Sequence, residues 1–130
     1  MKRIFAILLL TALLLTGCST AKQQAQVGTY RRISTAQAVE VMAEESDYII
    51  LDVRTWDEYV AAHIPGAICI PNETIGTSEP AQLPDKEQLI LVYCRSGNRS
   101  KTASQALADL GYTNVYEFGG INDWPYEIEE

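Results

Sequence analysis

One cysteine in this sequence lies where a predicted strand passes into a predicted helix. Cys94 follows the apolar run 89–93, and a helical pattern begins after the polar loop 95–100. The free N–H groups and the positive dipole end of a helix start favour an anion, and Arg95 and Arg99 add two positive charges to the same loop. These effects lower the pKa of a thiol, whose ordinary value is about 8.5. The pattern therefore predicts a thiolate nucleophile at Cys94.

The alternative for a cysteine at a strand end is a small buried side chain without chemistry. Arg and Ser are also common at helix starts simply as caps. Residues 95–101 contain no apolar side chain, however, and they include Gly97. This composition indicates an exposed, electropositive concavity rather than a packed core, so we favour a functional Cys94.

Three motifs in order make the sequence resemble the rhodanese-like sulfurtransferases, over about residues 33 to 124. The first contains Asp52, Arg54, Glu58 and His63 within 52–67, the second is the loop Cys94, Arg95, Ser96, Gly97, Asn98, Arg99 and Ser100, and the third is 119–124. The resemblance implies an α/β fold, with a small parallel sheet of about five strands and helices on both faces. It also implies that Cys94 takes sulfur from a small anionic donor such as thiosulfate, carries it as a persulfide and passes it to cyanide or a thiol.

The loop suits this cycle because backbone N–H groups can stabilise both a thiolate and a persulfide without a general base. We expect Arg95 to hold the oxygens of an anionic donor, since a guanidinium matches an oxyanion. Arg99 could face the substrate or pair with Asp52 or Glu58, and we favour the pairing. Asp52 is expected to hold loops together and His63 to fix a turn.

Two other functions remain open. Cysteine-dependent phosphatases and arsenate reductases place an arginine after five intervening residues, whereas here Ser100 occupies that position and Arg99 comes one residue earlier. The shorter loop favours sulfur over phosphoryl transfer. The second alternative is a non-catalytic binding or persulfide-carrier module, because a fold does not fix a function.

The N-terminus predicts export and a lipid anchor. Met1-Lys2-Arg3 is basic, and the apolar stretch from Ile4 to Leu15 is shorter than the roughly 20 residues that span a bilayer. Residues 15–18 resemble the lipobox of bacterial lipoproteins. We therefore expect residues 1–17 to be a signal peptide and Cys18 to be acylated and membrane-anchored. The protein would then face the periplasm or the exterior, on the outer membrane where there are two membranes.

The rest of the chain predicts an 18–29 tether and one domain at 30–130. Apolar runs predict strands at 48–53, 67–70, 89–93 and 115–118, and residues 30–33 are a fifth, short candidate strand. Capping boxes at 34–37 and 55–58 predict a helix at 35–45 and a short helix after residue 55, and a third helix ends at 110. Such alternation is typical of a parallel sheet with Cys94 at its carboxyl edge. Cys69 is expected to be buried and inert, although a disulfide between Cys69 and Cys94 is conceivable.

Composition excludes further functions. The formal net charge of −7 argues against a nucleic-acid partner, whose binding needs a basic surface. With no C-x-x-C pair and one histidine, we expect neither a metal site nor a cofactor. We also expect a monomer.

Overall fold

The computed structural model describes residues 28–130. The predicted signal peptide 1–17, the predicted acylation site Cys18 and most of the predicted tether 18–29 lie outside these residues.

The described residues form five strands and three α-helices, close to the bounds that the sequence predicts. The strands are β1 (Arg31–Arg32), β2 (Tyr48–Asp52), β3 (Ile68–Cys69), β4 (Leu89–Cys94) and β5 (Val115–Gly120), and the helices are α1 (Thr35–Glu44), α2 (Trp56–Ala61) and α3 (Asn98–Asp109). Within residues 28–130, no helix has the length and apolar character needed to cross a bilayer.

The strands form one parallel sheet in the order β1-β5-β4-β2-β3, which confirms the predicted fold. Helix α3 covers one face, where Leu107 packs against Val92. Helices α1 and α2 cover the other, where Ala38 and Tyr59 belong to the cluster around Leu91. Full burial of a side chain such as Leu107 contributes roughly 1.5–3 kcal/mol. Because β4 is central, its side chains are buried on both faces, and Cys94 ends the strand at the carboxyl edge.

Both predicted capping boxes are present. Ser34 accepts a hydrogen bond from the Gln37 backbone N–H and Thr55 accepts one from that of Glu58, while the side chains of Gln37 and Glu58 bond back to the two caps. These bonds satisfy N–H groups that have no partner inside the helix. They fix the starts of α1 and α2.

The loop after Cys94 is shorter than predicted. Cys94 itself pairs with Gly120 in the sheet, and α3 already begins at Asn98. The helix starts early because Gly97 adopts a φ of 102°, a left-handed conformation that turns the chain within three residues. Asn98, Arg99 and Ser100 therefore form the first turn of α3 rather than a loop.

Candidate active site

The thiol of Cys94 lies beneath the turn that joins β4 to α3. Its Sγ accepts a hydrogen bond from the Gly97 N–H at 3.0 Å and lies 3.4 Å from the Ser100 Oγ. Arg95, Ser96 and Asn98 are exposed around it, but Cys94 is only 1% exposed. The prediction of an exposed concavity is therefore wrong for the sulfur itself, because the turn folds over it.

The environment of Cys94 favours the thiolate. Burial raises the pKa of the Cys94 thiol, but the hydrogen bond between its sulfur and the Ser100 side chain and those from the backbone N–H groups of Ser100, Gly97 and Ser96 outweigh it and lower the pKa below its ordinary value. The backbone groups are available because they lie at a helix start without intrahelical partners. Such a site stabilises an anion on sulfur.

Gly120, in the closing motif 119–124, lies directly against the backbone of the Cys94 turn. A Cβ on Gly120 would collide with the backbone of Arg95 and lie 2.7 Å from the Ser96 N. The Asn122 N–H also donates to the Arg95 carbonyl at 3.2 Å. The glycine is required because β5 and the Cys94 turn approach backbone to backbone.

Glu58 binds both arginines of the turn. Its carboxylate accepts two hydrogen bonds from Arg99, at 2.7 and 3.0 Å, and lies 2.8 Å from the Arg95 Nη2. Thr55 donates to the same carboxylate from its backbone N–H and hydroxyl. The bonds from Arg99 hold the pKa of Glu58 well below its usual range. Glu58 thus compensates one of the two positive charges that we expected to act on Cys94.

Asp52 and Arg54 lie in a separate buried network. Asp52 is 0% exposed and makes a bidentate ion pair with Arg54, whose Nη2 also donates to the Ala62 carbonyl at 2.6 Å. Tyr93 donates its hydroxyl proton to the Asp52 Oδ2 at 2.7 Å and accepts from the Ile64 N–H. The network ties the ends of β2 and β4 to the segment after α2. Asp52 therefore pairs with Arg54 and not with Arg99.

His63 fixes a turn away from the Cys94 loop. Its Nδ1 lies 2.8 Å from the Tyr59 carbonyl oxygen and its Nε2 lies 3.1 Å from the Glu129 Oε2, while its ring stacks on Tyr59 with centroids 4.0 Å apart. The backbones of His63 and Glu129 exchange two hydrogen bonds. These contacts hold the C-terminal segment against α2.

The motifs that surround this site belong to a known family. Residues 35–126 match the family model described as the rhodanese-like domain. The chain belongs to that family. Within the described residues, this rhodanese-like domain groups no three His, Cys, Asp or Glu side chains suited to a metal ion.

Relatives of the rhodanese-like domain carry names for a sulfur-transfer activity. It is 37% identical over 73 residues to the thiosulfate sulfurtransferase PspE of Escherichia coli, covering 56% of this chain and 70% of that protein. It is 34% identical over 96 residues to the thiosulfate sulfurtransferase GlpE of Coxiella burnetii, covering 73% and 87%. A solved structure described as rhodanese with anions from E. coli is 32% identical, with a TM-score of 0.58 over 64% of this chain and 98% of that one.

The sequence reasoning missed Glu117, a buried carboxylate on β5. Glu117 is 1% exposed, and its Oε1 accepts hydrogen bonds from the Ser100 hydroxyl at 2.6 Å and from the Gly119 N–H at 2.9 Å. Its Oε2 lies 3.3 Å from the Arg32 Nε. The available signal was a single acid inside the strand 115–118. Hydrophobic periodicity describes each element separately, so it could not pair this acid with Ser100, which lies on α3.

Cys69 is half-buried rather than fully buried as predicted, since β3 is an edge strand. Its Sγ lies 3.6 Å from the Arg54 carbonyl oxygen. Burial, together with the nearby negative charge of Asp52, raises the pKa of the Cys69 thiol to about 11. Cys69 and Cys94 are both free thiols, so the conceivable disulfide does not form in this structure. Relative to an ordinary cysteine, the pKa of Cys94 is therefore lowered and that of Cys69 is raised.

Proposed function

We propose that the protein is a sulfurtransferase of the rhodanese type. Cys94 takes sulfane sulfur from thiosulfate or a similar anionic donor, holds it as a persulfide and passes it to cyanide or a thiol. The observation that carries this proposal is the bond of 3.0 Å from the Gly97 N–H to the Cys94 Sγ, in a turn whose other N–H groups also face the sulfur. The printed names of the relatives agree with it.

We propose different roles for the two loop arginines. Arg99 makes two bonds to Glu58 and its side chain is 31% exposed, whereas Arg95 makes one bond and is 58% exposed. Arg95 can release a single exposed contact to bind the oxygens of a donor at the mouth of the turn, at little cost. Arg99 holds the turn in place. The E. coli structure that contains anions shares this fold.

The experiment measures sulfur transfer from thiosulfate to cyanide in wild type, Cys94→Ser and the matched control Cys69→Ser. Wild type and Cys69→Ser should form thiocyanate and gain about 32 Da, one sulfur atom, when incubated with thiosulfate. Cys94→Ser should do neither while melting like wild type. Sulfur transfer that survives in Cys94→Ser refutes the proposal. Turnover of an aryl phosphate that depends on Cys94 would favour a phosphatase instead.

We also propose that the domain is held at a membrane of the cell envelope by acylated Cys18. The support is the order of the basic start, the short apolar stretch and the segment 15–18 in the sequence. The site would then act outside the cytoplasm, where the supply of reducing thiols is low.

A further inference from the structure

Glu117 is joined to the nucleophile by one hydroxyl group. The Ser100 Oγ lies 2.6 Å from the Glu117 Oε1 and 3.4 Å from the Cys94 Sγ, and all three side chains are at most 1% exposed. A Cβ on Gly97 would lie 3.8 Å from the same Oε1, so the carboxylate lies directly below the turn. The backbone N–H groups stabilise an anion on Cys94 without any contribution from this carboxylate.

The single proton of the Ser100 hydroxyl links the states of Glu117 and Cys94. Three acceptors surround it: the Glu117 carboxylate at 2.6 Å, the Gly119 carbonyl at 3.3 Å and the Cys94 sulfur at 3.4 Å. While Glu117 is ionised, the hydroxyl donates to the carboxylate, which is the closest and charged acceptor. The Ser100 oxygen then accepts from a Cys94 S–H. When the hydroxyl instead donates to a thiolate, a protonated Glu117 can donate to the Ser100 oxygen.

We propose that Glu117 receives the proton of Cys94 through Ser100 as Cys94 attacks the donor sulfur. The inference rests on the proposed sulfur transfer. The Cys94 S–H bond breaks and its proton passes to the Ser100 Oγ, while the Ser100 O–H bond breaks and its proton passes to the Glu117 Oε1. The sulfur electron pair forms the new S–S bond to the outer sulfur of thiosulfate, and sulfite leaves with the pair of the old S–S bond. When cyanide removes that sulfur, the Cys94 thiolate recovers its proton along the same path.

The surroundings of Glu117 suit this role. The Gly119 N–H fixes the Oε1 that faces Ser100. Arg32, on β1, is the charged group that bonds to Glu117. The Arg32 side chain is 63% exposed, so water can solvate its positive charge when Glu117 is neutral. Arg99, in the first turn of α3, is the other charged group that acts on Cys94, and it is paired with Glu58. Glu117 acts through Ser100, so it is a positioning residue, and its effect must appear in a pH profile.

Glu117→Gln separates proton transfer from structure. Because the Gly119 N–H requires an acceptor at the Oε1 position, the glutamine places its carbonyl oxygen there and still accepts from Ser100. An amide oxygen cannot take the proton. Removing the negative charge alone would make the thiolate easier to form, whereas loss of the proton acceptor slows reaction of the thiol. The two explanations therefore predict opposite changes in the reaction rate of Cys94 in Glu117→Gln at low pH.

The test is the rate of Cys94 alkylation by iodoacetamide between about pH 5 and pH 9, followed by mass after reduction. In wild type the rate should flatten toward low pH, because Glu117 assists the protonated thiol. In Glu117→Gln it should keep falling about tenfold per pH unit, and the two rates should converge at high pH, where hydroxide replaces the base. Glu87→Gln, which removes an exposed carboxylate just before β4, should behave like wild type.

Ser100→Ala breaks the path while leaving Glu117 in place, and it should also lose the flattening. If Glu117→Gln reacts faster than wild type at low pH, or if either variant keeps the flattening, the relay is refuted. Alkylation needs no sulfur donor, so this outcome is independent of the proposed function. In active enzyme, kcat/KM for thiosulfate should fall about 100-fold in Glu117→Gln, within the range for proton transfer by a positioned side chain.

Discussion

Arg99→Ala should destabilise the domain because it removes the stronger of the two ion pairs on Glu58. The pair has bonds of 2.7 and 3.0 Å between side chains that are 31% and 17% exposed. Fully exposed pairs contribute about 0–1 kcal/mol, and breaking a buried pair costs about 3–5 kcal/mol. For this half-buried pair we expect a loss of about 2 kcal/mol, or a Tm lower by about 10 °C in a domain of this size. Arg95→Ala should cost less than about 1 kcal/mol and raise the KM for thiosulfate.

The assay is urea unfolding at neutral and acid pH, with a double-mutant cycle of Arg99→Ala and Glu58→Ala. Because the pKa of folded Glu58 is depressed, the pair stabilises the fold above the unfolded value of about 4.3 and loses that effect as pH falls through the folded value. The difference between wild type and Arg99→Ala should therefore narrow below about pH 4. Glu79→Ala, which removes the more exposed ion pair with Lys86, is the control. If Arg99→Ala unfolds like that control yet loses donor affinity, the assigned roles of the two arginines are reversed.

Three further outcomes are expected. Iodoacetamide near neutral pH should label Cys94 and spare Cys69, because the pKa of Cys94 is lowered and that of Cys69 is raised to about 11; equal labelling of the two thiols contradicts this. Cys18→Ser should leave the membrane fraction, and retention there after signal cleavage would argue against the lipid anchor. Gly120→Ala should abolish activity because the added methyl group would displace the Arg95 backbone from the sheet. An active variant with an unchanged Tm would show instead that the backbone accommodates the methyl group.

The sequence predicted best those features that depend on neighbouring residues. Apolar runs located four of the five strands, β2 to β5, and the pattern Thr55 to Glu58 predicted the capping box at α2. The position of Glu117 against Ser100 follows instead from the parallel pairing of β4 and β5, which is irregular between Val92 and Cys94. Contacts of this kind join residues 17 to 41 positions apart and depend on how α3 packs. No local pattern encodes that packing.

The carboxylate of Glu58 makes the stability of the fold and the shape of the site inseparable. One oxygen accepts from the helix cap Thr55 and from Arg99, and the other accepts from both arginines of the Cys94 turn. The start of α2 and the turn above Cys94 therefore share one anion. A change that loosens the start of α2 also frees the charges above the sulfur, since a released guanidinium finds no second carboxylate bonded to it among residues 28–130. This coupling explains why a turn with two arginines keeps a defined shape over a buried thiol.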